Sequence, residues 1–85
     1  MTLTNEELTF RAFGELLLAE LQLAPTELRD ETHLVDDLAF DSVLTFELLL
    51  VVEDWIGVLL PEAMLGQIQT MGDVYDVYRT RRAQR

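Results

Sequence analysis

The chain has 85 residues, sixteen acidic against six basic, a net charge of −10 and no cysteine. That length supports one domain whose core is only just large enough to fold without staples, and the missing cysteines exclude disulfides and thiolate metal sites. A surface this acidic repels nucleic-acid phosphates and anionic membrane and attracts proteins with basic patches, so neither nucleic acid nor membrane is an expected partner.

The first expected element starts at Thr4-Asn5-Glu6-Glu7, a capping box with Thr4 as cap and Glu7 three residues on. Leu8, Phe13, Leu16, Leu17 and Leu21 then recur at helical spacing, and the helix ends near Leu21. From Leu23 to Phe40 runs a long connection with Pro25 and the acids Glu27, Asp30, Glu31, Asp36 and Asp37; Leu28, Leu34, Val35 and Leu38 are the residues available to pin it down. Asp41 or Ser42 opens the second helix, because both side chains accept the free N–H groups of a first turn. No Gly or Pro interrupts Val43 to Ile56, and Gly57 is the natural stop, which makes roughly four turns.

After Pro61 a short third helix is expected around Glu62 to Leu65. Thr70 and Asp73 form a capping pair for a last helix that turns Met71, Val74, Val77 and Tyr78 inward. The expected fold is therefore all-α: a small four-helix bundle with a long loop between helices 1 and 2 and a short third helix. The bundle spans 1–78 and a basic C-terminal tail spans 79–85, with Arg79, Arg81, Arg82 and Arg85. No segment has the length or flanks of a membrane span or secretory signal; Leu48 to Val52 is too short and the N-terminus is acidic, so the expected setting is cytoplasmic.

Ser42 is the only serine in the chain, placed where an acidic loop meets the longest apolar run. The N-terminal end of a helix favours a phosphate through its unpaired N–H groups and its dipole. Taken alone, a serine there is merely a cap. Its context is more specific: Asp37-Leu38-Ala39-Phe40-Asp41-Ser42-Val43 resembles, position for position, the Asp-Leu-Gly-x-Asp-Ser-Leu loop of the acyl carrier protein family. Leu60-Pro61 resembles that family's Ile-Pro, and Ile68-Gln69-Thr70-Met71 its Ile-x-Thr-Val, so the likeness covers Leu16 to Tyr78 without a gap. Ala39 stands where Gly is usual and Val43 where Leu is commoner, and both bear on how a transferase reads the loop.

The resemblance implies that Ser42 takes a covalent 4′-phosphopantetheine arm from coenzyme A, by the action of a phosphopantetheinyl transferase, with Asp37, Leu38, Asp41 and Val43 as the surrounding motif. It also implies a monomeric carrier, not an enzyme, that holds acyl groups as thioesters and presents them to acyl-loading, ketosynthase or acyltransferase-type enzymes with basic patches. Asp41 before the serine is closer to fatty-acid and polyketide carriers than to the Gly-Gly-x-Ser of peptidyl carriers. An aminoacyl or peptidyl carrier, and an unmodified helical interaction module of carrier-like fold, stay open as alternatives.

On a helical wheel Val43, Glu47, Leu50 and Asp54 share one stripe of the second helix, opposite Thr45, Leu49, Val52 and Ile56. The first stripe is a candidate docking patch, carboxylates steering and aliphatics holding. Leu44, Glu53 and, on the third helix, Met64 extend it as further docking residues. The second stripe is core and a possible cavity for a short acyl chain. Leu44, Val51 and Trp55 form an intermediate face that is more polar in the family, as are Ala63 and Met64; this greasier surface implies a dedicated polyketide or specialised fatty-acyl pathway. Asp36, Asp37 and Asp41 lack the central Gly and terminal Glu of an EF-hand, so no metal is expected. His33 has no triad context and reads as a loop residue.

Overall fold

Thr9 opens the first helix. Its hydroxyl accepts the Ala12 N–H at 3.2 Å, and α1 runs Phe10–Glu20. The computed structural model describes residues 7–83, so Thr4 of the expected capping box lies outside the described residues; Glu7 and Leu8 precede the helix. At its end the Leu23 and Gln22 N–H groups reach back to the Leu18 and Ala19 carbonyls at 2.9 and 3.0 Å, with Gln22 left-handed at φ 60°. This double bond is a Schellman closure made without the usual glycine.

α2 spans Ser42–Ile56 and stops at Gly57, which is left-handed at φ 72° as the sequence predicts. The expected short third helix is a five-residue 3-10 helix, Glu62–Gly66, so among the described residues the all-α fold consists of three α-helices and this turn. α3 spans Met71–Ala83 and carries Arg79, Arg81 and Arg82 of the basic segment within it. Its cap is the expected one: the Asp73 carboxylate accepts the Gln69 and Thr70 N–H groups at 2.8 and 3.1 Å, and the Thr70 hydroxyl accepts the Asp73 N–H at 3.2 Å.

The three helices meet on Phe13, which is fully buried between Trp55, Tyr75 and Tyr78 at centroid distances of 5.7, 5.3 and 4.9 Å. Leu17, Leu48, Val52, Ile56, Met71 and Val74 complete the centre, and each such side chain contributes about 1.5–3 kcal/mol on leaving water. Leu16, expected inside, is exposed, because the buried face of α1 is centred on Phe13, Gly14, Leu17 and Leu18. The two tyrosines also grip the segment before α1: the Tyr78 hydroxyl accepts the Leu8 N–H at 2.9 Å, and the Tyr75 hydroxyl donates to the Leu8 carbonyl at 2.6 Å.

The long connection is sewn to the start of α3 by main-chain bonds. Leu34 N–H donates to Gln69, Met71 N–H to Thr32 and Gly72 N–H to Asp30, at 2.8–2.9 Å. The Met71 and Gly72 bonds satisfy first-turn N–H groups that a helix leaves open. The approach is so close that a Cβ on Gly72 would lie 2.9 Å from the Asp30 carbonyl oxygen. Leu34 is buried, and Leu28 and Leu38 pack partly buried against the core, whereas Val35, expected as a pin, points outward at 58% exposure.

Candidate functional site

The loop before α2 is a tight reversal. The Asp37 carboxylate accepts the His33 N–H at 2.7 Å, and the His33 carbonyl accepts the N–H groups of Asp37 and Leu38 at 2.9 and 3.2 Å. Ala39 turns the chain in the left-handed region at φ 59°, the conformation that favours glycine. Phe40 follows as a buried anchor, its N–H bonded to Leu34 at 2.9 Å.

Asp41, rather than Ser42, is the cap of α2. Its carboxylate accepts the Leu44 N–H at 2.8 Å, and its carbonyl accepts both the N–H and the hydroxyl of Thr45 at 3.0 and 2.8 Å. Ser42 is thereby placed in the first helical turn, exposed, and no hydrogen bond among the described residues occupies its hydroxyl. The motif residues Asp37, Leu38 and Asp41 hold the loop, and Val43 is 65% exposed beside the serine.

Alongside Ser42 opens a cavity of about 420 Å³, lined by Leu34, Val35, Phe40, Leu65 and Ile68 with His33, Asp41, Thr45 and Gln69. A free, exposed hydroxyl at the rim of such a space fits a serine-linked arm: the hydroxyl is available for a phosphodiester, and the cavity can receive an extended, partly apolar chain. Of the four residues expected to form an acyl cavity, only Thr45 lines it. Leu49, Val52 and Ile56 are at most 4% exposed and close-packed in the core, so the space lies between the loop, the start of α2, and the 3-10 helix with the segment that follows it.

On α2 the outer stripe is as expected: Val43 and Leu50 are exposed at 65% and 46%, with Glu47 and Asp54 exposed between and beyond them. Phe46, 41% exposed, joins this stripe and was missed by the sequence reading, although its spacing from Val43 and Leu50 places it on that side. Three expected docking residues sit differently. Met64 is 6% exposed, because the 3-10 helix turns it into the core. The Glu53 carboxylate accepts the Leu60 N–H at 2.7 Å and so fastens the loop after α2. Leu44 is half-buried against the core, as are Val51 and Trp55, so the greasy intermediate face is mainly packing.

Asp73, in the first turn of α3, accepts the N–H of Gln69, which lines the cavity. The Gln69 N–H bond holds its carboxyl below the usual range, against an opposing push from burial, with the Thr70 bonds and the charge of His33 acting in the same lowering direction. Among the described residues no group of acids and histidine is arranged to hold a metal ion, and no helix is long and apolar enough to cross a membrane. His33 itself, read from the sequence only as a loop residue, stands on the cavity wall with Gln69; both were invisible as site residues because the seam that brings them there is made by backbone.

Comparison with known proteins agrees with this geometry. The family described as "Phosphopantetheine attachment site" matches residues 11–77. The meromycolate extension acyl carrier proteins of Mycobacterium leprae and Mycolicibacterium smegmatis are each 34% identical over 74 residues, or 87% of this chain, and it covers 64% and 74% of their respective lengths. The acyl carrier protein of Wolinella succinogenes is 31% identical over 65 residues, which is 76% of this chain and 86% of that protein.

Proposed function

The chain belongs to the acyl carrier protein family, and from that premise we propose that Ser42 is the residue that takes the 4′-phosphopantetheine arm and that the protein carries acyl intermediates between enzymes of a dedicated fatty-acyl or polyketide pathway. The observation that carries this reading is the free Ser42 hydroxyl in the first turn of α2, beside a cavity and directly after an aspartate that has already taken the capping role. Once attached, the arm supplies a terminal thiol on which an acyl group is held as a thioester. The chain's own residues do the rest. Asp41 and Ala39 set the direction in which the hydroxyl leaves the helix, and Phe40 anchors the loop against recoil. Tethering raises the local concentration of the cargo at each partner. The cavity wall of Leu34, Val35, Phe40, Leu65 and Ile68 shelters part of a short chain from water.

The exposed stripe of Val43, Phe46 and Leu50, framed by Glu47 and Asp54, is the docking surface for partners with basic patches, the transferase among them. The resemblance to mycobacterial carriers named for meromycolate extension favours a specialised fatty-acyl route. Intact-protein mass after incubation with coenzyme A and a broad-specificity transferase tests the attachment. One phosphopantetheine increment, absent in Ser42→Ala, is expected; no increment with several transferases leaves an unmodified interaction module as the better reading.

A further inference from the structure

The ring of His33 stands on the wall of the cavity that Ser42 also borders. Its Nδ1 accepts the Asp36 N–H at 3.2 Å, so the proton of the neutral ring sits on Nε2, which is therefore a donor. Among the described residues no hydrogen bond occupies that Nε2, and the side chain is 32% exposed, open to a group entering the cavity. The backbone of His33 is held on both sides, by the Asp37 carboxylate at its N–H and by its pairing with Thr70, which keeps the ring at the wall.

Charge makes this donor distinctive. The ionisable groups around the ring are all carboxylates: Asp36, 3.8 Å from Nδ1, and Asp37 on its own loop, Asp41 at the start of α2, and Asp73 on α3, whose carboxyl feels the ring's charge. Among the described residues no lysine or arginine lines the cavity. A phosphodiester placed on Ser42 thus adds a negative charge to a cavity where, among the described lining residues, His33 is the one able to become a cation.

We propose that His33 is a positioning residue for the phosphodiester joining the arm to Ser42, donating to it from Nε2 and holding it electrostatically when the ring is protonated. The role rests on the reading of Ser42 as the attachment residue. It gives the root of the arm a fixed direction along the cavity wall, and it makes that direction dependent on the protonation of one ring.

Phosphorus NMR of the arm-bearing protein tests this. A phosphodiester stays ionised between about pH 5 and 7.5, the range in which histidine changes charge, so its resonance moves there only if a neighbour titrates. The chain contains a single histidine. The expected result is one inflection in the phosphorus shift that coincides with the titration of the His33 ring protons and disappears in His33→Gln. In the unsubstituted protein the ring is expected to titrate at higher pH with the arm than without it, a comparison that does not depend on how the variant folds. A flat phosphorus resonance with identical ring titrations in the two forms overturns the role of His33 while leaving the attachment intact. A protein that acquires no phosphorus signal at all overturns both.

Discussion

Replacing Ala39 with glycine should make the protein more stable. Ala39 lies at φ 59°, where a Cβ crowds the following carbonyl at a cost of about 1–2 kcal/mol, and its methyl is exposed, so removing it opens no cavity. Glycine relieves that strain but returns about 0.4–1 kcal/mol through the greater freedom of the unfolded chain. Taken near the middle of both ranges, the net gain is about 0.5–1 kcal/mol. For a domain of this size each kcal/mol moves Tm by about 4–8 °C, so Ala39→Gly should melt about 2–8 °C higher by calorimetry or circular dichroism. Urea unfolding should show a higher midpoint with an unchanged slope, which assigns the gain to stability rather than to a different unfolded state. Gln22→Gly, at the other left-handed non-glycine position, is the internal control and should shift Tm the same way. An unchanged or lower Tm in Ala39→Gly would refute the idea that the loop before Ser42 is strained.

Asp73→Ala removes the carboxylate that caps α3 and holds the Gln69 N–H, and it should cost about 0.5–2 kcal/mol in a urea melt. The same carboxyl is held below its ordinary value of 3.8, so its contribution is complete above that pH and is lost as the pH falls through the lowered value; the acid limb of stability should be shallower in Asp73→Ala than in the parent. Val43→Asp and Leu50→Asp, at exposed positions of α2, should leave Tm within about 4 °C but slow arm transfer several-fold, and added salt should slow the parent reaction too. Unimpaired transfer in both variants would place the docking surface elsewhere.

The parts of the fold readable from sequence were those set by signals within a few residues. The end of α2 at Gly57, the Thr70 and Asp73 cap, and the inside and outside of α2 each follow from one helical period or one side-chain bond. What escaped notice depends on distant backbone. The seam between 30–34 and 69–72 is made by N–H and carbonyl groups that every residue possesses, so nothing in the side chains announces it. Once formed, it moves His33 and Gln69 to the cavity and relocates that cavity away from Leu49, Val52 and Ile56. Met64 was misread as a surface residue because a 3-10 helix repeats every three residues, and the one inward position of so short a turn cannot be found from a wheel drawn for 3.6.

The direction of α3 has a consequence for how the molecule approaches others. Its thirteen residues span about 20 Å, with Gln69, just before its first turn, on the wall of the cavity that Ser42 borders and Arg79, Arg81 and Arg82 at the far end. Asp36, Asp37 and Asp41 of the loop stand on the serine side and Asp73 in the first turn of α3, so this helix has acids near one end and arginines near the other. In the field of a positively charged partner such a body is turned before it touches, serine side foremost. With a screening length near 8 Å at physiological salt, the turning happens only in the last layer or two of water. The arginines then work by repulsion, keeping the wrong end away.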